Sequence, residues 1–219
     1  MQKPDNREQA CKLILGKAAM NEHYYEKLLN IRTLGDQKVF NESVHYHRYE
    51  PTSYSALEIL SQQYEFTPED SVVDFGCGKG RFNFYVNHFF SSAVTGIEMN
   101  SYFFKQAVEN KKFYFQANKC KEDNIDFLNC FAETYHIKST DNKFYFFNPF
   151  SMQIFAKVIK NILVSAQATE RSVDIILYYP SMDYIYFLDT ASPFTQIKEI
   201  KVPHMCDTDP RHRFLIYRM

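Results

Sequence analysis

The chain has 219 residues, 45% of them hydrophobic and 23% charged, which suffices for one domain with a real core and is too little for two comfortable ones. Twenty-five basic residues stand against 26 acidic ones, for a formal net charge of -1, so no global field draws nucleic acid or an anionic membrane to the surface. No apolar run of about 18 residues marks a membrane span, and five scattered cysteines without a C-x-x-C pair fit reduced thiols, so a cytoplasmic protein without disulfides is expected.

The N-terminal stretch also lacks the basic start and apolar run of a secretory signal. Residues 5 to about 33 read as helix, with Leu13, Ile14, Met20, Leu28 and Leu29 at roughly helical spacing and Gly35 just beyond. Residues 36 to 50 are polar and irregular. His45 and His47 lie there without further ligands at zinc spacing, so no metal is expected. A second helix runs from about Ser53 to Tyr64, facing Leu57, Ile59 and Leu60 inward, and Thr67-Pro68-Glu69-Asp70 closes it with turn chemistry.

Strands and helices then alternate. Ser71 to Phe75 is a strand, followed by glycines and a helix from Arg81 to Phe90. Ala93 to Glu98 is a strand, and Ser101 to about Asn118 a helix with Ser101 as its N-cap. Ile125 to Phe131 and Lys143 to Phe147 are strands, Met152 to Ala168 a long helix, and Val173 to Tyr179 a strand closed by Pro180. A short helix from Met182 to Leu188 precedes two strands, Thr195 to Val202 and Arg213 to Arg218, joined by an Asp- and Pro-rich turn. Such alternation means right-handed crossovers and a mostly parallel sheet covered on both faces. The last two strands have no long helix between them and should pair as a hairpin at the edge, one of them antiparallel to the rest.

The chemistry concentrates in Val72-Val73-Asp74-Phe75-Gly76-Cys77-Gly78-Lys79-Gly80-Arg81-Phe82. Glycines alternate between a buried strand and a helix, where the backbone takes positive φ or a ligand approaches without meeting a Cβ. In an open parallel sheet this loop lies at the carboxyl ends of the strands, where ligands bind. A P-loop is excluded because Lys79 is followed by Gly80 and no hydroxyl is available for magnesium. The dinucleotide fingerprint is G-x-G-x-x-G, whereas here G-x-G-x-G follows Asp74. A carboxylate at the strand tip suits a ligand with an amino group and no pyrophosphate. Glu98, ending the second strand, can accept both hydroxyls of a ribose.

On these residues the chain from about Tyr49 onward resembles the class I (Rossmann-like) S-adenosylmethionine-dependent methyltransferases. The resemblance implies a seven-stranded α/β domain over 49–219, with 1–48 as a helical N-terminal extension. It implies S-adenosyl-L-methionine as cofactor, with Asp74, Gly76, Cys77, Gly78 and Gly80 lining its methionine and ribose portions, Glu98 on the ribose and Met99 beside the adenine. Phe131 stands where the family commonly carries an acid for the adenine amino group, and Glu133 is the substitute candidate. Tyr49-Glu50-Pro51-Thr52 resembles the Y-x-P-T segment that some nucleic-acid-directed members place over the cofactor, which makes Thr52 a further cofactor contact.

Strand four ends in Asn148-Pro149-Phe150, which resembles the Asn/Asp-Pro-Pro-Tyr/Phe motif of enzymes that methylate planar amino nitrogens, with the second Pro missing. Asn148 Oδ1 and the Pro149 carbonyl would accept the two hydrogens of such an amine, and Phe150 would stack on its plane, so that catalysis is positioning and electrostatics. A strand-terminating turn with Phe150 in the core is the competing account. The acceptor expected is RNA or a protein side chain. A small-molecule acceptor, with the N-terminal helices as a lid, and a non-catalytic cofactor-binding protein remain alternatives. Lys105, Lys111, Lys112, Lys119 and Lys121 form a loose basic run, read either as a stripe for RNA or as a solvated helix face. Asp207, Arg211, His212 and Arg213 are read as acceptor grip or as a solvated turn, and His204 is a candidate base without an identifiable partner.

Overall fold

A computed structural model of the protein describes residues 22–35, 50–117 and 124–219. Residues 22–29 are helical (α1). The expected helix stops short of residue 33 because Asn30 takes a left-handed conformation (φ 53°) and Ile31 N–H closes back on the Glu26 carbonyl at 3.0 Å. Its predicted first part, 5–21, lies outside the described residues. Helix α2 (Tyr54–Gln63) starts on Ser53, whose hydroxyl accepts from Ala56 N–H.

The alternating section forms β1 (Ser71–Phe75), α3 (Arg81–Phe90), β2 (Ala93–Ile97), α4 (Ser101–Ala117), β3 (Ile125–Leu128), β4 (Lys143–Phe146), α5 (Met152–Ala168), β5 (Asp174–Tyr178), α6 (Met182–Ala191), β6 (Thr195–Lys201) and β7 (Arg213–Arg218). The cap of α4 is Asn100 and not Ser101: the Asn100 side chain accepts from Tyr102 N–H at 2.9 Å, and Ser101 is already helical. Strand β3 ends three residues before Phe131. Beyond it the chain turns into a short 3₁₀ stretch, Ala132–Thr134.

The seven strands make one sheet in the order β3-β2-β1-β4-β5-β7-β6. All pairings from β3 to β5 are parallel, and β7 enters antiparallel between β5 and β6. The hairpin therefore forms the edge as expected, with β6 outermost and a register shift between Gln196 and Lys198. Side chains alternate between two apolar layers, as period-two strands require. Val72, Tyr145, Ile176 and Phe214 join one layer with Tyr25 and Leu29 of α1, Leu57 and Leu60 of α2, Phe84 of α3 and Tyr114 of α4. Val73, Phe75, Phe144, Phe146, Ile175 and Leu215 join the other with Ile154, Phe155 and Ile162 of α5 and Leu188 of α6. The strand order reverses between β1 and β4, which opens a crevice beyond their carboxyl ends. No helix among the described residues is long and apolar enough to cross a membrane.

Candidate functional site

The crevice is built from three backbone tips. At the end of β1, Gly76 and Cys77 both donate to the Ile97 carbonyl (2.9 and 3.1 Å), which locks the glycine turn to β2. Gly76, Gly78 and Gly80 all have positive φ (80°, 55° and 87°). A Cβ on Gly76 would lie 2.6 Å from Cβ of Pro149, and one on Gly80 would meet the Phe127 ring at 2.7 Å. The loop thus needs glycine for its backbone and for its neighbours alike.

Glu98 sits immediately after β2, buried, and its carboxylate organises the turn. Oε2 accepts from Gly78 N–H at 2.9 Å and Oε1 from Asn100 N–H at 2.7 Å. A carboxylate has about four acceptor positions, so these backbone donors leave capacity for a ligand hydroxyl. Burial raises its pKa, and the N–H donors of Asn100, Gly78 and Met99 oppose the rise. Met99 follows, half-buried, and Asn129 at the tip of β3 donates to the carbonyls of Glu98 (2.7 Å) and Met99 (3.0 Å).

Asp74 points into the crevice from β1, opposite Tyr145 in the β1–β4 register. It is only 4% exposed, and no residue among those described donates a hydrogen bond to its carboxylate. Burial, and then the charge of Glu98, pushes its pKa well above the usual carboxylate range. Cys77 beside it is raised for the same reasons, burial first, so it is a neutral thiol and not a nucleophile.

Over this crevice lies the segment Glu50-Pro51-Thr52. Glu50, Pro51 and Thr52 share its lining with Asp74, Gly76, Cys77, Arg81, Phe82, Tyr145 and Phe147, around a free volume of about 20 Å³. That is room for a water or two. Thr52 is fixed from both ends: its hydroxyl is 2.6 Å from the Tyr145 hydroxyl, and its carbonyl accepts from Arg81 Nη1 at 3.1 Å. Tyr145 in turn stacks on Phe82 with ring centroids 3.8 Å apart.

The third tip, after β4, carries Asn148 in a left-handed conformation (φ 41°), with Pro149 against Gly76. Phe150 corrects the sequence expectation: its ring is 1% exposed and packs edge-on against Phe146, below the loop and away from the crevice. Its carbonyl is held by the Tyr184 hydroxyl. The aromatic side chain at the crevice is Phe147, which meets Tyr178 and Tyr179 of the neighbouring strand tip at 4.7 and 6.1 Å.

Tyr179, also left-handed (φ 50°), is held in place by the β6–β7 turn. Its hydroxyl donates to Asp209 at 2.6 Å, and the Arg211 guanidinium lies 4.4 Å over its ring. His212 Nδ1 is 3.0 Å from the Tyr178 hydroxyl. The turn is thus attached to the β5 tip and not merely solvated. Asp207 and His204 stay exposed on it, and Arg213 pairs with Glu199 at 3.0 Å.

On the β3 side Phe131 is 54% exposed at the surface. Glu133 borders a groove between residues 133–139 and α5, on the opposite face of the sheet from Tyr145, with its carbonyl bound by Asn161. Lys105 and Lys112 are exposed, and Lys111 pairs with Asp126 at 3.5 Å. Lys119 and Lys121 lie outside the described residues, as do His45 and His47. No metal-binding cluster occurs among the described residues, and Cys77, Cys130 and Cys206 are free thiols.

Sequence reasoning missed Tyr145, Phe147 and Arg81. Tyr145 was accessible through strand alternation, since it shares a register position with Asp74. A cation at the first position of a buried helix opposes the helix dipole, and this was the signal for Arg81.

No protein-family model and no curated protein sequence matches the chain. Solved structures share its fold. An RNA methyltransferase from Salinibacter ruber, in complex with S-adenosyl-L-homocysteine, is 14% identical with a TM-score of 0.50, the match covering 78% of this chain and 92% of that one. Geranyl diphosphate C-methyltransferase from Streptomyces coelicolor, in complex with Mg²⁺, geranyl diphosphate and S-adenosyl-L-homocysteine, is 10% identical with a TM-score of 0.51, covering 76% and 78%. A Pyrococcus abyssi tRNA (uracil-54, C5)-methyltransferase, also with S-adenosyl-L-homocysteine, is 14% identical with a TM-score of 0.50, covering 78% and 39%. The likeness is one of fold: the Rossmann-like arrangement of these enzymes.

Proposed function

We propose that the chain is an S-adenosylmethionine-dependent methyltransferase whose acceptor is a planar amino nitrogen in RNA or a protein side chain. The observation that carries the reading is Asp74. A buried carboxylate without a donor among the described residues is costly, and it lines a crevice at the strand-order reversal, beside a glycine turn and a second carboxylate. A ligand with an ammonium at one end and a ribose in the middle meets both acids: the ammonium at Asp74, the ribose at the acceptor capacity that Glu98 has left. Gly76, Cys77, Gly78 and Gly80 form the turn that lines it, Thr52 covers the site, and Met99 flanks the base. Phe131, exposed at the β3 tip, offers a ring face to adenine where an acid is more usual. When bound, the cofactor supplies an electrophilic methyl on sulfonium.

The protein's own task is to hold the acceptor nitrogen in line. Asn148 Oδ1 and the Pro149 carbonyl are the acceptors for its two hydrogens, on a loop seated against the glycine turn. Phe147, with Tyr178 and Tyr179 behind it, takes the place proposed from sequence for Phe150 as the aromatic surface for a planar group. An amide or exocyclic amine has a lone pair delocalised into its π-system, so positioning and hydrogen bonding are the available means of acceleration. The RNA methyltransferases among the proteins of like fold agree with an RNA acceptor. Incubating the chain with labelled cofactor and a lysate lacking it tests the proposal, since label must enter RNA or protein. Label confined to small metabolites sinks the acceptor assignment, and no binding of S-adenosylhomocysteine by calorimetry sinks the cofactor assignment.

A further inference from the structure

Arg81 is the first residue of α3 and directly follows the glycine turn, yet its side chain points away from the turn and into the N-terminal segment. It is 3% exposed. Nε donates to Thr33 Oγ1 at 2.7 Å, and Nη1 donates both to Glu22 Oε2 at 2.5 Å and to the Thr52 carbonyl at 3.1 Å. Nη2 lies 3.6 Å from Glu26 Oε1, and the guanidinium covers the Tyr54 ring at 4.4 Å.

The two glutamates carry the connection further. The other oxygen of Glu22 accepts from Tyr54 N–H at 2.8 Å, at the start of α2, and Glu26 accepts from the Tyr54 hydroxyl at 2.9 Å and from Thr33 N–H at 2.6 Å. One nitrogen of one side chain therefore binds helix α1 and the segment over the crevice at the same time. Nothing else among the described residues holds the Thr52 carbonyl.

We infer that Arg81 is a positioning residue that couples the docking of helix α1 to the affinity of the crevice for its ligand, an inference that rests on the cofactor reading above. With Glu22 engaged, the guanidinium is oriented to hold the Thr52 carbonyl, and the Thr52 hydroxyl then meets Tyr145 over Asp74. With α1 undocked, Arg81 loses Glu22, Glu26 and Thr33 together and is no longer oriented toward the Thr52 carbonyl, which weakens the Glu50–Thr52 cover. Coupling of this kind is reciprocal: if α1 favours ligand binding by some factor, ligand favours α1 docking by the same factor.

The test uses the full chain and S-adenosylhomocysteine. Calorimetric affinity is measured for wild type, Glu22→Gln, Arg81→Lys and Arg81→Met, each checked for a native circular dichroism spectrum and a cooperative melt. Backbone amide exchange over residues 22–33 is followed with and without ligand. Glu22→Gln should bind on the order of tenfold more weakly, within the usual range of coupling between sites, and Arg81→Lys should recover part of what Arg81→Met loses. Ligand should slow exchange at 22–33 in wild type and not in Glu22→Gln. A merely structural Arg81 would lower melting temperature without moving that ligand-dependent protection. Should Arg81→Met fail to fold, Glu22→Gln, whose own side chain is less deeply buried than that of Arg81, carries the test alone. Binding by wild type that Glu22→Gln leaves unchanged, or exchange at 22–33 indifferent to ligand, overturns the coupling alone. No binding by wild type overturns the cofactor reading and the coupling with it.

Discussion

Pro149 occupies the space that any side chain at Gly76 would need, its Cβ 2.6 Å from the Cβ position of that glycine. The turn proposed to hold the cofactor and the loop proposed to hold the acceptor are therefore one packed unit. Their spacing is set by β1 and β4, which lie side by side with Phe75 opposite Phe146. Gly76→Ala meets both this contact and a backbone at φ 80°. We expect a loss of about 2–4 kcal/mol in denaturant unfolding, through left-handed strain and overpacking, together with weaker S-adenosylhomocysteine binding.

Asp74→Asn separates stability from function. Removing a buried carboxylate that has no donor among the described residues should stabilise the unliganded chain by on the order of 1 kcal/mol, or roughly 2–4 °C in melting temperature for a chain of this size. The same change should weaken S-adenosylhomocysteine binding at least tenfold. Thermal melts and calorimetry read the two effects, and a variant that is both less stable and equally tight contradicts the assignment.

The pH dependence follows from the same acids. Asp74 is raised by burial and then by Glu98, and Glu98 is raised by burial, from ordinary values of 3.8 and 4.5. A raised carboxylate keeps its proton in the folded chain after the unfolded chain has lost it, so stability falls as pH rises above the ordinary value. Melting temperature measured from about pH 5 to about pH 8 should therefore fall more steeply for wild type than for Asp74→Asn. Bound S-adenosylhomocysteine, by giving Asp74 an ammonium partner, should shrink that difference.

Asn148→Ala should abolish turnover while leaving calorimetric affinity for S-adenosylhomocysteine within about twofold, because a lost transition-state contact lowers kcat without touching ground-state binding. Phe150→Ala should behave otherwise. Its ring is core, so the cost is about 3–5 kcal/mol of stability, and any loss of activity should track unfolding. Phe147→Ala, at the crevice, should lower activity at near-native stability.

The alternation of strands and helices was legible because buried parallel strands are short apolar runs and their helices are amphipathic. Strand β3 was read too long because Leu128 to Phe131 is as apolar as a strand, whereas its pairing ends when Glu98 N–H bonds the Leu128 carbonyl and the Asn129 side chain turns onto the β2 tip. Asp74, Gly76 and Glu98 were legible as a group because their types are unusual where they stand. Phe150 was misplaced since a motif fixes order along the chain but not which side of the sheet each ring meets. There the missing second Pro brings the aromatic one residue closer to β4. The partners of Arg81 were not legible because they lie far away in sequence, at Glu22, Thr33 and Thr52.

Strand β7 is the latest of the seven in sequence, yet it lies between β5 and β6. As the polypeptide is synthesised, β5 must wait with one flank bare and β6 without its described strand partner, until β7 slides in and bonds to both. Deleting residues 213–218 would take out an interior plank and would expose two hydrogen-bonding margins to other molecules. A chain stalled before β7 carries both unpaired margins and is open to association with itself.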